Sequence, residues 1–142
     1  MTVQRLLKGK GAFVPVTHAD ATLEEVIDRL GSDEDLGTLI VTDGDKRLIG
    51  VMSERDIARG LKAYGREILE RPVRDLMTRE VVTCEVSEPL STVLDLMDKH
   101  NIPHVPITRG GVVCGIIDMH DIVKYRLDAI HAVASALRAP AP

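Results

Sequence analysis

The sequence predicts a mixed α/β (α+β) fold: two β-α-β-β-α repeats packed about a pseudo-twofold axis as one module, with a short helix before them and another after. Three observations predict it. An apolar helix-face pattern occurs twice; each copy is followed by two strand-like runs around a polar turn; each then ends on a strand entering a second helix behind a short polar residue. Each unit of roughly 50 residues buries too little surface to stand alone, so the two must share a core. The chain divides into a lead helix 1–12, repeat 1 at 13–62, a linker 63–79, repeat 2 at 80–126 and a C-terminal helix and tail 127–142.

The lead segment Val3 to Lys8 is read as a short helix outside the repeat. In repeat 1 the apolar positions Leu23, Val26, Ile27 and Leu30 fall at i, i+3, i+4 and i+7. Leu90, Val93, Leu94 and Met97 do the same in repeat 2, and each set is one helix face. The strands Thr38-Leu39-Ile40-Val41 and His104-Val105-Pro106-Ile107 come next. The turns Asp43-Gly44-Asp45 and Arg109-Gly110-Gly111 suit hairpins. Second strands run over Leu48 to Met52 and Val112 to Ile117, and second helices open at Glu54 and near Met119. The offset between copies shortens by a single residue at two places, from Leu23/Leu90 to Thr38/His104 to Gly50/Gly115, and both changes fall in loops. The linker contains Arg71-Pro72 and a short helix at Val73 to Met77. Ile130, Val133, Ala134 and Leu137 form an apolar face with no place in either repeat. It packs back onto its own module or buries against a second chain. Ala139 to Pro142 is read as a frayed end.

Composition narrows the function. The chain of 142 residues is 44% hydrophobic and 28% charged, with 18 basic and 22 acidic residues and a net charge of −4. That balance disfavours a nucleic-acid partner, which needs a basic face. Phe13, Tyr64 and Tyr125 are the whole aromatic complement, too few for base-stacking platforms. No run approaches a membrane span, and Met1 to Gly11 is no secretory signal. Cys84 and Cys114 lie far apart in the chain, without metal or redox spacing, and read as reduced, buried side chains of a cytoplasmic protein.

Chemistry concentrates in Gly50-Val51-Met52-Ser53-Glu54-Arg55-Asp56-Ile57 and its copy Gly115-Ile116-Ile117-Asp118-Met119-His120-Asp121-Ile122. One reading is purely structural: Ser53 and Asp118 are good N-caps, and Asp56 stands where a capping-box acid would. The other uses the same geometry for a ligand. A helix N-terminus holds a phosphate, Ser53 adds a hydroxyl, and an acceptor-only carboxylate suits the paired hydroxyls of a ribose. Phosphate and ribose together imply a nucleotide, its base held between apolar strand edges.

The duplicated β-α-β-β-α unit with G-x-x-[ST]-x-x-D entering its last helix resembles the CBS-domain family, as a stand-alone bacterial-type tandem pair. The resemblance covers roughly Phe13 to Arg126. Gly50 with Ser53 and Asp56 matches the motif fully, while Val82-Thr83-Cys84 and His104 to Ile107 match less specific strand patterns. The family binds AMP, ADP, ATP, NAD or S-adenosylmethionine in clefts between the domains, and some members bind other ligands or none known. By resemblance Asp56 holds the ribose, Ser53 and Arg55 face the phosphates, Gly37, Thr38 and Leu39 line the base pocket, and Thr83 closes it. The pseudo-symmetric cleft uses Asp121, Asp118, His120, His104, Val105 and Val16. Asp118 departs from the motif and adds negative charge, and Val16 stands where repeat 2 has Thr83. The cleft at Asp56 is therefore expected to be the better phosphate site. The other is expected to be empty or to take a less charged adenosine moiety. A disc-shaped homodimer is a further expectation from the family.

A zinc pair at His100 and His104 is disfavoured, because Asn101-Ile102-Pro103 breaks the helix between them. No catalytic constellation emerges: neither cysteine has a distinctive setting, and Glu24, Glu25, Asp28 and Asp95 lie on solvated helix faces. Two classes remain, a nucleotide-binding regulatory module without catalytic activity and a structural or interaction module. In either the target is a separate effector protein, which the sequence does not name.

Overall fold

The computed structural model describes residues 1–11, 14–32 and 37–138. Phe13 and the expected frayed end at 139–142 lie outside the described residues. In chain order the elements are α1 (Val3–Lys10), β1 (Val16–His18), α2 (Leu23–Ser32), β2 (Thr38–Thr42), β3 (Leu48–Ser53), α3 (Glu54–Tyr64), two 3₁₀ turns (Gly65–Glu70 and Val73–Asp75), β4 (Cys84–Glu85), α4 (Leu90–His100), β5 (His104–Arg109), β6 (Val112–Asp118) and α5 (Met119–Arg138). Each repeat forms one three-stranded sheet, β1-β2-β3 and β4-β5-β6, with the first pair parallel and the second antiparallel. The expected β-α-β-β-α order holds in both halves.

The pseudo-twofold axis is visible in the hydrogen bonds. Arg47 and Val112 form an isolated antiparallel bridge between the two sheets. Around it Leu48 N–H donates to Gly111 O at 3.3 Å and Val113 N–H to Lys46 O at 3.2 Å. Matching Arg47 to Val112 carries each of these bonds onto the other, so the axis passes through the bridge.

Each half encloses its own core, where the sequence predicts one shared core, because each repeat's sheet is covered by its own helices and one lead segment. Leu23, Val26, Leu39, Val41 and Met52 anchor the first; Leu90, Val93, Val105, Ile107 and Ile117 anchor the second. The segments outside the repeats are exchanged between them. Val3 and Leu6 of α1 are buried in the second core, and Val73 and Met77 of the linker in the first. The backbone confirms the correspondence: Leu90 N–H donates to Met1 O at 3.1 Å, and Leu23 N–H to Arg71 O at 3.0 Å. Val3-Gln4-Arg5-Leu6-Leu7 and Val73-Arg74-Asp75-Leu76-Met77 are thus copies, with Val3 on Val73 and Leu6 on Leu76. The lead helix thus takes, against the second core, the place that the linker takes against the first.

Two local departures have clear causes. β4 is a residue shorter than β1. Ile40 N–H donates to Pro15 O at 2.9 Å, whereas Pro106, at the matching register, has no N–H to give. α5 runs unbroken for 20 residues through the expected boundary at 126/127, because no glycine or proline interrupts it.

Candidate functional site

β3 delivers the chain to α3 through Ser53, whose extended backbone (φ −119°, ψ 169°) is that of an N-cap. The Asp56 N–H donates to Ser53 Oγ at 3.4 Å, and Asp56 Oδ2 accepts from Ser53 N–H and from Ser53 Oγ, each at 2.9 Å. This is a full capping box. Asp56 Oδ1 accepts from Thr78 Oγ1 at 2.7 Å and lies 3.7 Å from the Arg59 guanidinium. The carboxylate is 4% exposed, and Gly50 leaves room for the linker that brings Thr78. A Cβ there would sit 2.7 Å from Met77 Sδ and 3.0 Å from Thr78 O.

The α3 N-terminus opens into a cavity of about 370 Å³ between the halves, large enough for a small-molecule ligand. Repeat 1 contributes Gly37, Thr38, Ser53, Arg55, Asp56 and Arg59. The linker side contributes Thr78, Glu80, Val81 and Val82, and repeat 2 contributes Asn101 to His104 and Pro106. Polar groups line both sides, Ser53, Arg55, Asp56 and Arg59 at the helix N-terminus and Thr78, Glu80, Asn101 and His104 opposite, with Val81, Val82, Ile102, Pro103 and Pro106 as the apolar wall.

Of the expected residues, Ser53, Arg55, Asp56, Gly37 and Thr38 come together here. Others stand elsewhere. Leu39 is fully buried in the first core, because strand alternation turns it away from the face that Thr38 presents. Val105 is likewise buried in the second core. Thr83 is exposed and precedes the shortened β4; its neighbours Val81 and Val82 line the cavity instead. His104, expected in the second cleft, lines the first, its ring carbon and nitrogen 3.1 and 3.2 Å from where a Gly37 Cβ would be. Burial lowers its imidazole pKa, against the attraction of Asp118. Val16 opens β1, half-buried, and His120 is exposed on α5.

The copy at α5 has a different set of partners. Asp118 Oδ1 accepts the Asp121 N–H at 2.8 Å, and Asp121 Oδ2 accepts the Asp118 N–H at 2.9 Å. Lys10 Nζ reaches the same Asp121 oxygen at 2.6 Å. The sequence reading missed Lys10, Arg59 and Thr78. Arg59 had a signal, three residues after Asp56 on one helix face. Lys10 and Thr78 follow only from where α1 and the linker dock.

His100 ends α4, Asn101 takes the left-handed conformation (φ 51°), and His104 opens β5, so the helix breaks between the histidines as expected. Cys84 is buried and Cys114 half-buried; both are unpaired, and burial raises both thiols. Among the described residues no helix is long and apolar enough to cross a membrane.

A family model for the CBS domain matches twice, over residues 13–63 and 73–128. The chain is 29% identical to an uncharacterized 17.7 kDa protein of Acidianus ambivalens over 116 residues, 81% of this chain and 68% of that relative. It is also 29% identical to part of an inosine-5′-monophosphate dehydrogenase of Nitrosopumilus maritimus, covering 75% of this chain and only 21% of the enzyme. Among solved structures, a CBS-domain-containing protein of Agrobacterium tumefaciens superposes with a TM-score of 0.79 and 30% identity, over 89% of this chain and 99% of its own. The CBS domain pair of protein MJ0100, in complex with 5′-methylthioadenosine and S-adenosyl-L-methionine, gives 0.77 and 25% over 91% and 98%. With both copies matched and each sheet, cap and lead segment finding its counterpart across the axis, the chain belongs to the CBS-domain family, as a tandem pair.

Proposed function

We propose that the cavity at Asp56 binds an adenine nucleotide (AMP, ADP, ATP or NAD) and that its occupancy regulates a separate effector protein. One observation carries the reading: a capped helix N-terminus flanked by Arg55 and Arg59 opens into an apolar-walled cavity between the two halves. Phosphates go to the helix end and the two guanidinium groups. The base goes between Val81-Val82 and Ile102-Pro103. Asp56 has room for the ribose: Oδ2 is filled by Ser53, while Oδ1 holds Thr78 and keeps one acceptor site. The adenosine compounds bound to the MJ0100 pair support this ligand class. The unpaired cysteines fit a reducing compartment such as the cytoplasm.

Thermal unfolding with AMP, ADP, ATP, NAD and S-adenosylmethionine tests the reading. A ligand at about 100 times its Kd adds about 2.7 kcal/mol, and each kcal/mol raises Tm by about 2–8 °C. The variant Arg55→Ala/Arg59→Ala changes two side chains at the cavity mouth, Arg55 and Arg59 both being exposed. It is expected to keep the unliganded Tm and to lose at least about tenfold in affinity for phosphorylated ligands, each charge-assisted hydrogen bond contributing about 1.5–3 kcal/mol. No shift with any ligand would move the function to the interaction module.

The second reading rests on α5. Met119, Val123, Leu127, Ile130, Val133 and Leu137 are all exposed along this helix, and Leu137 is 82% exposed. The module covers the first three in part and leaves Ile130, Val133 and Leu137 mostly exposed. We propose that a second copy covers this stripe, forming a homodimer. Sedimentation velocity is expected to show a dimer in the wild type and a monomer in Ile130→Glu/Val133→Glu; a wild-type monomer would refute it.

A further inference from the structure

The two helix entrances share a backbone cap and differ in the side-chain donors that reach the aspartate; Thr78 serves only Asp56. At the first, the Ser53 hydroxyl donates to Asp56 Oδ2 at 2.9 Å. At the second, Asp118 replaces Ser53; its carboxylate can accept the Asp121 N–H but, when ionised, has no hydrogen to return. The missing donor comes from the start of the chain. Lys10 Nζ donates to Asp121 Oδ2 and to the Ile116 carbonyl, both at 2.6 Å. α1 holds it there: Val3 and Leu6 are buried in the second core, and Leu7 lies on Gly115, where a Cβ would come within 2.7 Å of it. Gly115 is the copy of Gly50, so Leu7 and Met77 do the same job on opposite sides of the axis.

The ammonium thus sits on the carboxylate oxygen that copies Asp56 Oδ2, in a partly buried ion pair whose side chains are 26% and 14% exposed. Burial alone would raise the Asp121 carboxyl. The Asp118 N–H and Lys10 outweigh it and hold the carboxyl below the usual carboxylate range. A ribose diol is neutral. It cannot supply the countercharge that Lys10 gives Asp121, and a phosphate at this helix end would face Asp118 where the first cleft has the neutral Ser53 hydroxyl.

We propose that Lys10 is an internal occupant of the second cleft, so that the chain takes up a single nucleotide, at Asp56. The inference rests on the nucleotide reading above and extends it to the number of sites. Calorimetric titration of the full chain with ADP is expected to give one site in the wild type. It is expected to give two in Lys10→Ala/Asp118→Ser, which rebuilds the first cleft's motif in the second. Two wild-type sites, or a folded double variant with one, would overturn the proposal. The ion pair is also read without ligand. The Lys10 side-chain ammonium is expected to exchange slowly enough for NMR detection in the wild type, and to be lost in Asp121→Asn. A wild type that shows the protected ammonium but binds no nucleotide keeps the occupied cleft and sinks the nucleotide reading. One that binds nucleotide without a protected ammonium does the reverse.

Discussion

A Val3→Asp variant is expected to lose on the order of 3–5 kcal/mol of stability, as a buried charge without a partner does. The lesion should appear at residues 86–117, far along the chain. Val3 is 0% exposed and packs in the core formed by Leu90, Val93, Val105 and Ile117. Its own N–H donates to Glu88 O at 3.1 Å, beside the Leu90 N–H bond to Met1 O. The N-cap of α4 is Pro89, which has no side-chain acceptor, and the lead segment supplies one for the Leu90 N–H. Against a typical domain stability of about 5–15 kcal/mol, the loss is a large fraction. Urea denaturation followed by circular dichroism gives the magnitude, and amide exchange gives the place. Exchange should accelerate first in α4, β5 and β6. Val73→Asp, the copy in the linker, should instead expose α2, β2 and β3, because Val73 is buried in the first core. If Val3→Asp leaves the denaturation midpoint unchanged, or opens repeat 1 first, the exchanged packing of the lead segments is wrong.

That exchange marks where the sequence stops being legible. The helix faces at Leu23 to Leu30 and Leu90 to Met97 are readable because the helical period survives in side-chain type alone. The cap at Ser53 is readable because its chemistry is local, three residues from Asp56. The lead segments are copies too, but so short a match, at a slightly longer offset of its own, does not stand out beside the main repeat. The Lys10–Asp121 pair spans 111 positions and follows from where α1 docks, which no periodicity encodes. The family resemblance places Leu39 and Val105 in the clefts. Both turn into the cores because alternate residues of a strand face opposite ways. His104 shows a subtler limit. Its register opposite Asp118 follows from the repeat, but its ring lies over Gly37 in the other half's cavity, which depends on how the halves meet.

The capping box leaves one question that a simple deletion does not resolve. Asp56→Ala removes the acceptor for Ser53 N–H, Ser53 Oγ and Thr78 Oγ1, and is expected to cost about 2–4 kcal/mol whatever the ligand does. Lost binding in that variant would not separate a ribose contact from a frayed helix. A comparison on the ligand side does. If the ribose 2′-hydroxyl donates to the open acceptor site of Asp56 Oδ1, AMP should bind the wild type more tightly than 2′-deoxy-AMP. A hydrogen bond to a charged group contributes about 1.5–3 kcal/mol, so the ratio should be about 10- to 150-fold. Asp56→Asn keeps the size of the side chain but replaces one carboxylate oxygen with a donor. With Ser53 and Thr78 both giving hydrogens to the group, the amide oxygen can serve one side only. The variant should therefore discriminate less than about threefold between the two ligands, even where its absolute affinity for AMP remains measurable. A ratio that stays at its wild-type value in Asp56→Asn would mean that the carboxylate never touches the sugar. Its burial beneath the cavity would then serve the fold alone, tying Thr78 of the linker to the start of α3.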